Sequence, residues 1–86
     1  MTEAIYDKAK EMMDEMADLK HLNDEIDKAL ALMQTSTDGV IEVHIQGEGD
    51  RCDLHMNRAL LDDLLRKYRK INLADIAKLN KQFKKL

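Results

Sequence analysis

Proline and tryptophan are missing from the 86 residues, aromatics number three (Tyr6, Tyr68 and Phe83), and Cys52 is the single cysteine. Each scarcity removes a class of protein. One cysteine excludes a disulfide framework and fits a reducing cytosol. Three scattered aromatics offer no pocket-lining set for a cofactor, and none is expected. Long apolar runs are missing too. Ala29 to Met33 is one of the longest at five residues, far short of the ~20 that a membrane span needs. Met1-Thr2-Glu3 lacks the basic-then-apolar opening of a signal peptide. A cytoplasmic protein without a membrane segment is therefore expected. The chain is short enough for one domain, 1–86, and no second.

What is present is aliphatic and charged: 44% of residues are apolar and 36% carry a charge. The formal net charge of −3 conceals a division, because residues 1–38 sum to −6, 39–56 to −3 and 57–86 to +6. Such asymmetry implies either an acidic helix neutralised by a basic one, within or between chains, or a basic segment aimed at a polyanion.

The first segment reads as one helix over about 2–33. Ile5, Met12, Leu19, Ile26 and Met33 recur every seven residues, and Ala9, Met16, Asn23 and Leu30 follow the first four at a spacing of four. That is the a/d seam of a coiled coil, in which Asn23 is a buried amide able to fix register and partner number. Met13, Leu22 and Ala29 widen the apolar face toward a bundle. Thirty-two helical residues reach ~48 Å, longer than the ~30 Å diameter of a compact chain of this size. Either the helix breaks near Asn23-Asp24 or another chain covers the overhang. The second is favoured, and Ile5, Met12, Met16, Leu19, Asn23, Ile26 and Leu30 are the expected oligomer interface of a homodimer.

Gln34 to Gly39 stops the helix with residues that compete for backbone hydrogen bonds. Strict alternation then predicts a β-hairpin over about 40–56, turning at Gly47-Glu48-Gly49-Asp50. Matching faces derives the register: Gln46 opposite Arg51, Ile45 opposite Cys52, Val43 opposite Leu54 and Ile41 opposite Met56. The inner face of six apolar residues, Cys52 among them as a buried small side chain, should cover the helices. From Asn57, a candidate cap, the period is helical again to 86, with Leu61, Leu64, Leu65 and Tyr68 on one face. Asn72-Leu-Ala-Asp75 has the form of a second helix start, so a break near 72 is expected over one unbroken helix. The fold class is α+β and predominantly helical, α-ββ-α, assembled as a dimeric helical bundle.

Chemistry-bearing groups are few. In the derived register Glu42, His44, Asp53 and His55 share the outer hairpin face, the one constellation with metal-ligand types. Cross-strand charged pairs on a solvated sheet give the same pattern. His21 and Glu25 lie one helical turn apart without further ligands. Cys52 has opposite parity to both strand histidines, which excludes a Cys–His nucleophile pair. Glu48 and Asp50 beside the turn glycines would repel a phosphate. An enzyme is not expected.

Arg66, Lys67, Arg69, Lys70, Lys78 and Lys81 are candidate polyanion contacts on the basic region. Strand, helix, helix over Arg51–Met56, 57–71 and 73–86 resembles the order of ribbon-helix-helix repressors. The outward Glu42 and Asp53 depart from that pattern where DNA would be read. Leu73–Leu86, basic with an apolar stripe, has Phe83 alone to insert into lipid, so no membrane contact is expected.

The layout of helix 2–33, hairpin Ile41–Met56 and helices 57–86 resembles small phage- or prophage-encoded accessory proteins, which include inhibitors of host defence such as anti-CRISPR proteins. The resemblance carries no residue motif. It implies a stoichiometric, non-enzymatic binder of a host protein. The expected function is thus a protein-binding module, an oligomeric inhibitor or adaptor of a protein partner of unknown identity. A DNA-binding transcriptional regulator using the basic C-terminal helices is the alternative.

Overall fold

The computed structural model describes residues 2–86. Four elements follow one another: α1 (Glu3–Thr35), β1 (Val40–Gly47), β2 (Asp50–Asn57) and α2 (Arg58–Lys84). Thr2 caps α1, its hydroxyl accepting from the Ile5 amide. The helix runs two residues further than its apolar period suggests, to Thr35, whose hydroxyl donates back to the Leu32 carbonyl at 2.7 Å. Asn57 caps α2 as its position implied, accepting from the amides of Ala59 and Leu60.

The two helices pack antiparallel, since Asn23 lies against Asn72 and Asp27 against Arg69. Ile26, Leu30 and Met33 are the buried apolar residues of the seam. On the α2 side Leu65, Arg69, Asn72, Ile76, Leu79 and Phe83 are buried or half-buried. Their 4-3-4-3-4 spacing is itself a heptad seam.

That seam corrects one expectation. α2 is unbroken through 72, and Asn72 is no cap. It sits mid-helix, 3% exposed, its amide spent on Asn23 across the interface. With neither glycine nor proline nearby, and no phase shift needed to keep the stripe on α1, nothing interrupts the helix. Likewise α1 does not break at Asn23-Asp24. The chain's own α2 covers most of it, and only about the first two turns of α1 run past the end of α2.

The hairpin register is the derived one, Val40 opposite Asn57 through Gly47 opposite Asp50. Glu48 and Gly49 form the tip, and Gly49 takes a φ of +75°, the left-handed value that favours glycine in a turn. Its placement differs from expectation. At its base the Arg58 amide donates to the Gly39 carbonyl at 2.9 Å, and the Arg58 guanidinium donates to the Ser36 carbonyl. Ile41, Val43 and Met56 are half-buried there, but Cys52 is exposed and Ile45 and Leu54 remain 51% and 43% exposed. The expected apolar cover of the helices is therefore mostly in solvent, and Cys52 is not a core residue. A hairpin anchored at its base and standing off the bundle end cannot lay its far half on the helices.

The molecule is long and thin. Its extents are 54 × 31 × 16 Å and its radius of gyration is 17.3 Å, against ~12 Å for a compact chain of this length. No helix among the described residues is long and apolar enough to cross a membrane.

Candidate functional site

Three surfaces merit comparison, beginning with the outer hairpin face. Alternation puts Glu42 and His44 on β1 beside His55 and Asp53 on β2. His44 Nδ1 lies 2.7 Å from Asp53 Oδ1. Arg51 Nε donates to the same carboxylate oxygen at 3.2 Å, and Arg51 Nη2 lies 2.8 Å from His44 Nδ1. That nitrogen serves one neighbour at a time. Protonated, it donates to Asp53; deprotonated, it accepts from Arg51. The hydrogen bond to Asp53 raises the His44 pKa above its ordinary 6.5, against a smaller opposing effect of desolvation, and the charges of Asp53 and Glu42 reinforce the rise. The same bond, opposed by desolvation and aided by Arg51, holds the Asp53 carboxyl below its ordinary range.

Ligand atoms of Glu42, His44 and Asp53 lie within 4.8 Å of one another. His55, opposite Glu42, lies outside that trio. A metal ion here would displace the Arg51 guanidinium, a cation already bonded to two of the three. The trio is thus better described as an ion-pair network on a solvated sheet. His21 and Glu25 form a simple pair at 3.0 Å on α1.

The basic residues of α2 do not all converge, and several are paired with carboxylates. Arg66 pairs with Asp62 at 2.6 Å, Lys67 with Asp63 at 3.2 Å and Arg69 with Asp27 at 2.7 Å. Lys70 joins Arg66, Lys67 and Arg69 around a groove that Asp63 also lines. Lys78 stands on the opposite side of the helix pair, beside Glu15 and Asp75. Lys81, one turn beyond Lys78, is exposed. Three of the six expected polyanion contacts are therefore engaged by carboxylates.

The third surface is apolar. The residues expected to meet a second copy face α2 of their own chain instead. Asn23, Ile26 and Leu30 are buried there and Met12, Met16 and Leu19 are half-buried, while Ile5 near the N-terminal end stays exposed. What is left open is a flank. Glu15, Asp75, Lys78 and Gln82 line a groove around Leu79 on one side of the helix pair. One and two heptads along α1 from Glu15 stand Leu22 and Ala29; one and two heptads back along α2 from Asp75 stand Tyr68 and Leu61. These four continue that groove toward the hairpin. Leu32, Leu64 and Ile71, three residues beyond Ala29, Leu61 and Tyr68, broaden it outward.

Leu32 and Ile71 are 69% and 57% exposed, and Leu22, Leu64 and Tyr68 are also open to solvent. The opposite side is mixed, its groove formed by Lys20, Asn23, Asp24, Asp27 and Arg69 with Leu73 and Ile76. Two signals in the sequence mark the flank. Leu22 and Ala29 widen the α1 stripe, and 61, 64, 68 and 71 have the spacing i, i+3, i+7, i+10 of an apolar face. The place of Ile71 in that face is masked in the sequence by the cap-like Asn72 beside it.

No protein-family model, curated protein or solved structure matches the chain.

Proposed function

We propose that this chain is a small non-enzymatic binding module that works as a homodimer in the cytoplasm. It inhibits or bridges a protein partner stoichiometrically, as host-defence inhibitors of phages do, and the hairpin is the part it presents. One observation carries the reading: the hairpin stands clear of the helices with Ile45, Cys52 and Leu54 uncovered and with neither outer strand edge paired among the described residues. Unpaired edges accept an added strand, and an apolar face beside them supplies pockets for its side chains.

A second reading, a DNA-binding regulator, draws on the net +5 of α2. It is weakened by the three basic side chains already paired with aspartates.

Affinity capture from the native host, with quantitative mass spectrometry, separates the readings when the parent is compared with Ile45→Asp/Leu54→Asp. Both substituted positions are exposed, so helicity by circular dichroism should be unchanged. One partner recovered at fixed stoichiometry by the parent and lost with the variant supports the proposal. Equal recovery by both, or no stoichiometric partner, overturns it. Binding to a duplex of about 20 base pairs that falls steeply between about 50 and 200 mM salt would support DNA recognition instead.

A further inference from the structure

We infer that the homodimer forms through the apolar flank of Leu22, Leu32, Leu61, Leu64, Tyr68 and Ile71, with the acidic α1 of one copy against the basic α2 of the other. The inference rests on the dimeric reading above and specifies its interface. The coiled-coil seam of α1 is not available for this purpose, because α2 of the same chain fills it. A second copy must use another face, and the flank exposes five large apolar side chains, Leu22, Leu32, Leu64, Tyr68 and Ile71, bordered by charged residues such as Glu25 and Asp75.

Area supports a second copy as the occupant. The accessible surface is 6964 Å², whereas a compact monomer of 9.9 kDa would expose about 5200 Å². The excess of about 1800 Å² is more than twice the ~800 Å² that each partner contributes to a standard interface. Covering the flank over several helical turns at ~800 Å² per copy would remove a little under half of that excess.

Charge summed over each helix supports the same occupant and orientation, with Lys78 as the basic residue of α2 in the flank groove and the Arg66–Lys70 groove on the other side. α1 carries nine acids and four bases, and α2 three acids and eight bases, so the helices are −5 and +5. Within the chain this complementarity is little used. Asp27 with Arg69 is the one ion pair joining the helices among the described residues, while Arg66–Asp62 and Lys67–Asp63 lie within α2 and His21–Glu25 within α1. Two copies related by a two-fold axis would place each acidic helix beside two basic ones, its own and its partner's. Stacking α1 on α1 would instead oppose like charges. The result is a four-helix bundle of alternating sign that leaves a hairpin free on each copy.

Sedimentation equilibrium at about 10 and 100 µM tests the assembly. The parent should have twice the chain mass. Leu64→Asp/Ile71→Asp, at exposed positions on the flank, should be monomeric with helicity retained. Met13→Asp/Leu73→Asp, on the opposite side, should remain dimeric. A monomeric parent, a flank variant that still dimerises, or loss of the dimer in the opposite-side variant alone would overturn the inference.

Carbodiimide cross-linking of mixed ¹⁴N/¹⁵N dimers tests orientation. Peptides joining carboxylates of α1 to lysines of α2 across copies are expected, and inter-copy links confined to α1 with α1 would overturn the pairing. Failure here is distinguishable from failure of the proposed function. A monomer that captures a partner through its hairpin refutes the dimer and its interface and leaves the binding role standing, whereas a dimer that captures nothing refutes the binding role alone.

Discussion

The Asn23–Asn72 contact should behave as a single unit, so that removing half of it costs more than removing all of it. Both residues are buried, at 6% and 3% exposure. Asn72 Nδ2 donates to Asn23 Oδ1 at 2.9 Å, and the Asn23 amide donates more distantly to the Arg69 carbonyl at 3.4 Å. Asn72→Leu leaves the Asn23 oxygen without its donor in an aliphatic seam. An unsatisfied buried acceptor costs ~1–3 kcal/mol. The added leucine offsets part of this by apolar burial, leaving a net loss of about 1 kcal/mol. Asn23→Leu strands the Asn72 amide and should cost a similar amount. The double substitution strands nothing and buries two leucines where two amides were, each worth up to ~1.5–3 kcal/mol. It should match or exceed the parent in stability, giving a coupling of about 2 kcal/mol or more. Urea unfolding of all four proteins at one chain concentration measures this. In thermal melts the singles should fall by about 4–8 °C. If the double variant simply loses the sum of the singles within about 0.5 kcal/mol, the two amides are not coupled and the reasoning fails. The double variant should also show broader amide resonances, because a lone polar layer is what distinguishes this register from its neighbours.

Two further outcomes follow from local geometry. Because His44 is raised by its bond to Asp53, the stability it contributes is full below its ordinary pKa and is lost as pH rises through the raised value. Because Asp53 is lowered, its contribution is present above its ordinary value and is lost as pH falls through the depressed one. The pair therefore favours the hairpin most in mildly acidic solution, between the ordinary carboxylate and imidazole ranges. An NMR titration should place the His44 midpoint above 6.5 and move it down in Asp53→Asn, and an unchanged midpoint would refute the assignment. Asn57→Ala removes the acceptor for two amides at the start of α2. A loss of about 1 kcal/mol is expected, read as a melting point lower by roughly 4–8 °C; an unchanged melt would show the cap to be idle.

Local patterns were legible in the sequence wherever period and chemistry coincide. Alternation over 40–56 fixed the hairpin and its register, since a slip of one residue would have put apolar side chains on both faces. The seven-residue period drew the seam of α1. What the period could not reveal is who fills that seam. A heptad stripe is satisfied equally by another chain or by a later helix of the same one, and the matching stripe on α2 was obscured by Asn72. An asparagine amid aliphatic residues reads locally as a cap; only the opposing Asn23, forty-nine positions away, gives it a different purpose. The hairpin's inner face misled for a related reason. Alternation separates two faces but carries no distance to the helices, so Ile45, Cys52 and Leu54 looked like core while standing in solvent. Arg51 shares the outer face by the same alternation, yet a count of metal-ligand types leaves out the cation that competes with a metal.

The division of labour follows from where each element finds its stabilisation. A two-stranded hairpin alone is marginal in water, and this one is anchored at its base through Gly39, Ser36 and Arg58. The helix pair has a continuous seam but a thin one, with Ile26, Leu30 and Met33 as its buried aliphatic residues, and helical stability in proteins comes chiefly from packing of the apolar face. Covering the flank of the helices thickens that core and leaves the far half of the hairpin untouched. Covering the hairpin does the reverse, ordering the tip and both edges without reaching the seam. The two apolar surfaces can therefore be occupied by different molecules without competing. A homodimer held by its helices would carry two hairpins, and binding through both would raise avidity without enlarging either contact. For a chain of 86 residues, that is a route to tight binding which a single exposed hairpin does not provide.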